Sequence, residues 1–290
     1  LIGHHETSGN AAHYEEQMGD AFDLYQRVGV PAVKTGYVAD ASQAKVTGTD
    51  GKLYGVPYTD NTWFMYYNKS KITEDEAKDF DTILSKAKVA FSLQNSWYIN
   101  GFYDGLSLFG EKGNDADAGM VFPKDGADIT SYLVDVVANP NFSNDDGASG
   151  LAAIKDGSAD VLFSGTWSAK DVKEALGDNY AATSLPTFTV NGQKKQMKSF
   201  AATKAAAYNP NAKNPKAAAQ FAAYHGSTEA QKLHYEMRAI PPTDKSLSDL
   251  TTDDVAAKAQ ADTMANTALL QSGLSGMNDW WTPAETFGKA

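Results

Sequence analysis

The chain has 290 residues, 42% hydrophobic and 21% charged, with a net charge of −11 and no cysteine. That length predicts about two domains of ordinary globular composition, and no run of about 18 apolar residues exists to span a bilayer. The net negative charge disfavours a basic face that could neutralise phosphates, and only Arg27 and Arg238 are arginines, so no nucleic-acid partner is expected.

From Asn10 to about Tyr25, apolar residues at helical spacing predict a helix, broken by Gly29 and Pro31. Leu53 to Tyr58 reads as a strand whose end Pro57 weakens, and Trp63 to Tyr67 as a short buried strand. Thr73-Glu74-Asp75-Glu76 resembles a capping box opening an acidic helix. Val89 to Leu93 predicts another strand, followed by a helix from Trp97 to about Phe109 and a glycine-rich loop over Gly110 to Gly119. Ile129, Leu133, Val136 and Val137 mark an amphipathic helix ending before Asn139-Pro140. A short helix near Ala148 to Lys155, a strand at Ala159 to Phe163 and a helix after Gly165-Thr166-Trp167 come next. Asn191-Gly192 suits a type I′ hairpin turn. Beyond Ser199 the alanine-rich sequence predicts helices, interrupted near Pro210 to Pro215 and at Pro241-Pro242. Strands alternating with helices predict an α/β fold.

The residues do not support catalysis. The missing cysteines remove disulfides, thiolate metal sites, Fe–S clusters and thiol nucleophiles. Walker, G-x-G-x-x-G and G-x-S-x-G motifs are missing, which predicts no nucleotide cofactor and no serine-nucleophile elbow. His4, His5, Glu6 and His13 match no metal-ligand spacing, and no metal is expected. His225 and His234 fall in a helical hairpin, where a surface or capping role is expected. Asp145-Asp146 and Asp253-Asp254 are adjacent pairs whose side chains diverge, unlike the facing carboxylates of glycosidases.

The tryptophans are more informative. Trp97 is flanked by Asn95, Ser96 and Tyr98; Trp167 follows Ser164-Gly165-Thr166; Trp280-Trp281 follows Asn278-Asp279. An aromatic face beside amides or carboxylates suits a sugar, whose C–H faces stack while its hydroxyls need donors and acceptors. Core packing is the competing role for each ring, and it is favoured for Trp63 inside its apolar run.

The blocks Gly51-Lys52-Leu53-Tyr54-Gly55-Val56-Pro57 and Tyr66-Tyr67-Asn68-Lys69 resemble the extracellular solute-binding proteins of ABC sugar importers, specifically the maltose/maltodextrin-binding branch. Phe91 to Tyr98, Tyr132 to Asp135, Gly157 with Phe163 to Trp167, Leu185 to Phe188, and Met277 to Pro283 keep the family's order. The resemblance implies a two-lobe α/β, periplasmic-binding-protein-like fold with a ligand cleft between lobes. It places one lobe at 1–60 and 203–250, incomplete at its N-terminal part, and the other at 63–200 and 255–290. Hinges fall near Asp60-Asn61 and Ser199-Phe200. Between the family's opening segment at Leu1 to Glu16 and the helix matched by Gln17 to Phe22, a stretch of the family is missing, and its tail is cut at Ala290.

Carried over by position, the stacking aromatics fall on Trp97 or Tyr98, Trp167 and Trp281. Two glutamates that bind sugar hydroxyls fall on Asn61, beside Asp60, and on Asn95. A mid-chain tyrosine falls near Gly147, and an arginine after the last tryptophan is replaced by Glu285. The implied function is capture of an oligosaccharide, maltose or maltooligosaccharide first, for an ABC permease, by a cofactor-free, non-catalytic monomer. Its implied location is extracellular or periplasmic, including lipid anchorage on the outer face of a bacterial membrane through a removed N-terminus. A carbohydrate-active enzyme and a surface interaction domain are the alternatives.

Overall fold

The computed structural model describes residues 2–6, 55–110, 113, 115–209 and 211–290. The helix expected from Asn10 to Tyr25 and the side chains of His4, His5 and His13 lie outside the described residues. After β1 (Ile2–Glu6) come β2 (Val56–Asn61) and β3 (Phe64–Asn68), separated by Thr62 and Trp63. Strand β2 runs through Pro57, and its pairing partner shifts register between Lys204 and Ala205, where Pro57 sits opposite Ala205. An imino nitrogen cannot join a ladder, so an irregularity there is the expected accommodation.

The capping box forms as the sequence implies. The Thr73 amide donates to Glu76 Oε2 at 2.8 Å and the Glu76 amide donates to Thr73 Oγ1 at 3.3 Å. It opens only a single 3-10 turn, Glu76–Lys78. Helix α1 (Phe80–Lys86) then starts afresh, its cap Asp79 accepting from the Thr82 amide.

Strand β4 (Val89–Phe91) follows, but the helix expected from Trp97 to Phe109 is not present; only a 3-10 turn, Ile99–Phe102, forms. Asn95 Oδ1 accepts from the Trp97 amide, and Gly105 takes φ +95°, so the chain turns instead of coiling regularly. The remainder becomes β5 (Ser107–Leu108), paired across the glycine-rich loop with β6 (Met120–Val121).

Helix α2 (Gly126–Ala138) buries Ile129, Leu133 and Val136, as their spacing predicts, but leaves Val137 exposed. Next come β7 (Phe142–Asn144), α3 (Ser149–Asp156), β8 (Val161–Ser164), α4 (Ala169–Leu176) and β9 (Tyr180–Thr183). Five of these strands form one sheet in the order β7-β4-β8-β3-β9. Because side chains alternate along a strand, β3 feeds two cores. Met65 and Tyr67 join Phe80, Phe91, Phe102 and Phe163 on one face. Phe64 and Tyr66 join Ala90, Leu162 and Val172 on the other.

Strands β10 (Thr187–Val190) and β11 (Gln193–Gln196) make the expected hairpin, with φ +50° at Asn191 and +76° at Gly192. The alanine-rich sequence after Ser199 corrects a helical expectation: β12 (Ser199–Ala207) is a strand, paired with both β1 and β2. Alanine has the highest helix propensity, but the flanking strands satisfy the backbone of this buried segment and hold it extended. Helices α5 (Pro215–His225), α6 (Thr228–Arg238) and α7 (Val255–Asn266) follow, then β13 (Ala268–Leu270), parallel to β12, and α8 (Asn278–Lys289).

His225 and His234 are half-buried rather than solvated, their rings 4.6 Å apart, with the Tyr58 ring 4.6 Å from His225. Burial lowers both pKa values, and His234 adds repulsion at His225. An unfolded imidazole therefore takes up its proton first, so stability falls as pH drops through about 6.5 toward the depressed folded values. The melting temperature should decline between pH 7 and 5. The decline should flatten in a His225→Gln/His234→Gln variant; an equally steep profile there would assign the effect to other groups.

Candidate functional site

The four-stranded and five-stranded sheets meet where the chain passes from β2 to β3 at Thr62 and enters β12 from the β10–β11 hairpin at Ser199. The hydroxyls of these residues are hydrogen-bonded at 2.6 Å. Beside this crossing lies a cavity of about 580 Å³ lined by Asn61, Trp97, Tyr98, Trp167, Lys204, Gln271 and Trp281. Five of the residues expected from sequence meet there: Asn61, Trp97, Tyr98, Trp167 and Trp281. Lys204 and Gln271 join them unanticipated.

Strand alternation sorts the β2 residues. Cross-strand partners share a face, and Lys204 sits opposite Thr59 while Thr203 sits opposite Asp60. Asn61 and Lys204 thus face the cavity, whereas Asp60 Oδ1 accepts from Thr203 Oγ1 at 3.0 Å on the other side. The Asp60 carbonyl also accepts from Gln260 Nε2, tying β2 to α7. Asn61 is 2% exposed, and its Oδ1 has no protein donor. A buried carbonyl oxygen left this way costs free energy until a ligand or water donates to it.

The aromatic wall is held by polar anchors. Trp97 Nε1 donates to Gln271 Oε1 at 3.1 Å, and its amide donates to Asn95 Oδ1 at 2.8 Å. Asn95 is itself exposed and does not line the cavity; it fixes the turn that presents Trp97. Tyr98 stacks on the fully buried Trp63 at 5.0 Å and 21°. Burial, reinforced by the Asp145 charge, raises the Tyr98 pKa, so the phenol stays protonated.

Trp167 is 39% exposed and lies 6.0 Å from Trp97, with the Lys204 ammonium 5.2 Å from its ring centroid. Trp281, in the first turn of α8, packs edge-on to Phe200 at 5.9 Å. Its neighbour Trp280 turns inward, 5% exposed, and donates to the Ser96 carbonyl. Successive helical residues point about 100° apart, which separates a packing tryptophan from a cavity one.

Gly165 sets the position of Trp167. A Cβ on it would stand 2.1 Å from the indole, although its φ of −106° suits any residue. Gly165→Ala should therefore reorient Trp167 while leaving the strand intact. We expect the tryptophan emission to shift with a nearly unchanged melting temperature, as measured by fluorescence and thermal denaturation. Unchanged emission would show that Gly165 does not set the indole position.

Charge in the cavity comes from Lys204; among the described lining residues none is a carboxylate. Among the described residues no cluster of three or more His, Asp or Glu side chains could hold a metal ion. A second, more apolar cavity of about 600 Å³, bounded in part by Tyr103, Phe122, Trp280 and Phe287, takes Trp280 and Asp279 but none of the residues carried over as ligand contacts.

An α/β scaffold with an aromatic and amide-lined cavity between two sheets matches a known class. The family model for bacterial extracellular solute-binding proteins matches residues 12–263, and the chain belongs to that family. A maltooligosaccharide ABC transporter solute-binding lipoprotein of Streptococcus pneumoniae is 28% identical over 218 residues, 68% of this chain and 50% of that protein. A galactooligosaccharide-binding protein of Bacillus subtilis is 28% identical over 264 residues, 82% of this chain and 60% of that one. The chain spans about half the length of the first of these relatives. A solved structure described as being with acarbose is 37% identical, with a TM-score of 0.86 over 99% of this chain and 76% of the other. The Thermus thermophilus maltotriose-binding protein, at 15% identity and a TM-score of 0.77 over 98% of this chain and 77% of that one, shares the fold. The architecture is the two-lobed α/β arrangement of maltose-binding-protein-like structures.

Proposed function

We propose that this chain captures an oligosaccharide, a maltooligosaccharide first, in the cavity between its sheets and delivers it to the permease of an ABC transporter. The observation that carries this reading is the convergence of Trp97, Trp167 and Trp281 with the buried, unpartnered Asn61 Oδ1. Sugar rings stack on the indoles, and a hydroxyl donates to Asn61. Tyr98 donates from its protonated phenol. Asp60 and Asn95 act behind the surface, the first by fixing β2 through Thr203 and the second by fixing the Trp97 turn.

The proposed lobes are 1–60 with 203–250, and 63–200 with 255–290. Ligand favours their approach because the cavity draws residues from both sheets. The protein acts as a monomer outside the cell, anchored by lipid or free, and releases its sugar unchanged. Names of relatives support both the sugar class and the transporter.

Titration calorimetry against gluco-, xylo- and galacto-oligosaccharides tests the reading. Binding of maltotriose or longer glucans is expected. Selective binding of galactooligosaccharides would move the assignment to the second ligand class, which the relative covering 82% of the chain supports. Silence across the panel would overturn it. Chromatography after prolonged incubation should recover the sugar intact, and product formation would make the protein an enzyme.

A further inference from the structure

Lys204 is the one residue of β12 that is not buried, in a strand reading Ser-Phe-Ala-Ala-Thr-Lys-Ala-Ala-Ala. A long cationic side chain is a costly choice for such a strand unless its head reaches a polar destination. Its ammonium instead reaches the ring of Trp167, 5.2 Å from the centroid. The two residues stand on different sheets, Lys204 on β12 and Trp167 directly after β8, so their contact crosses the cavity.

We infer that Lys204 is a specificity-determining residue of this cavity, its ammonium fixing the Trp167 ring and donating hydrogen bonds to the hydroxyls of the sugar stacked there. The inference rests on the sugar-binding reading above. Three N–H donors complement the acceptor role of Asn61 Oδ1 on the same sheet face, so one ligand hydroxyl can donate to Asn61 while a neighbouring one accepts from Lys204. The ammonium has cation–π attraction to the indole and is partly desolvated, which strengthens both kinds of contact. Burial lowers its pKa, and among the described residues no carboxylate offsets that shift. Its hydrogen-bonding capacity is thus directed at the cavity contents rather than held in an ion pair.

Lys204→Met keeps the length of the side chain and removes the charge and donors; Lys204→Arg keeps both. With maltotriose as the probe, Lys204→Met should weaken binding at least tenfold, as expected for losing a charged donor, while Lys204→Arg should stay within about threefold. In the free protein, Lys204→Met should also change tryptophan emission, and the change should vanish in a Trp167→Phe background. Wild-type binding with equal affinity in a folded Lys204→Met variant would overturn the role of Lys204 alone. So would emission changes that persist without Trp167. Wild-type silence toward maltotriose and the rest of the oligosaccharide panel would overturn the sugar-binding reading, and this inference with it.

Discussion

Trp63→Ala is expected to cost the fold about 3–5 kcal/mol, a large fraction of the roughly 5–15 kcal/mol that holds a typical domain folded. The side chain is 0% exposed and sits among Phe91, Tyr98 and Phe163, with ring centroids at 5.6, 5.0 and 6.2 Å. Its Nε1 donates to the Trp97 carbonyl at 3.0 Å. The loss therefore includes a large cavity, several aromatic contacts and an orphaned acceptor. Gly101 packs directly on the indole, with a Cβ there falling 2.7 Å from the ring, so the surrounding turn has little room to collapse smoothly. Chemical denaturation should show a lowered midpoint. Trp63→Phe should recover part of the loss by refilling volume without restoring the hydrogen bond. A melting point within 2 °C of wild type, a loss of only about 1 kcal/mol for a chain this size, would contradict the assignment.

Trp167→Ala and Trp281→Ala should behave in the opposite way, leaving the fold nearly intact and weakening sugar binding by about 30-fold each, or 2 kcal/mol. Trp167 is the more exposed of the two, and its indole lies against Gly165 without filling a core. Trp281 is partly buried and touches Phe200 edge-on, so its replacement should lower the melting temperature slightly. Trp280→Ala is the control: its ring is 5% exposed and bonded to Ser96, so stability should fall more than affinity. Calorimetry on folded variants separates the three. Unchanged affinity in both Trp167→Ala and Trp281→Ala would remove the aromatic wall from the site.

Much of this arrangement is legible one segment at a time. Helical spacing at Ile129, Leu133 and Val136, the Thr73–Glu76 capping box, and Asn191-Gly192 act over a few residues, and each forms as read. The aromatic run after Trp63 becomes β3, because alternate large side chains suit a strand covered on both faces. Tryptophans in polar company mark Trp97, Trp167 and Trp281, since a ring flanked by amides and hydroxyls fits a mixed surface.

What local patterns leave undecided is which partner each segment meets. Alanine spacing from Ser199 to Ala207 favours a helix in isolation, yet β1 and β2 claim both edges of that backbone and make it a strand. Trp97 to Phe109 has helical periodicity, but Gly101 must admit the Trp63 ring and Gly105 must turn left-handed. The same pairing decides the site. Asp60 and Asn61 are neighbours of similar chemistry, and only the register of β2 on β12 turns Asn61 toward the cavity and Asp60 toward Thr203. Lys204 carries a sequence signal, a lone charge in an alanine-rich run, but its meaning depends on that strand assignment. Composition and short-range spacing thus determined the α/β class and the aromatic residues, because those signals act within one turn or one strand. The cavity itself was decided by the tertiary structure, because contacts such as Lys204 with Trp167 join segments that the sequence holds far apart.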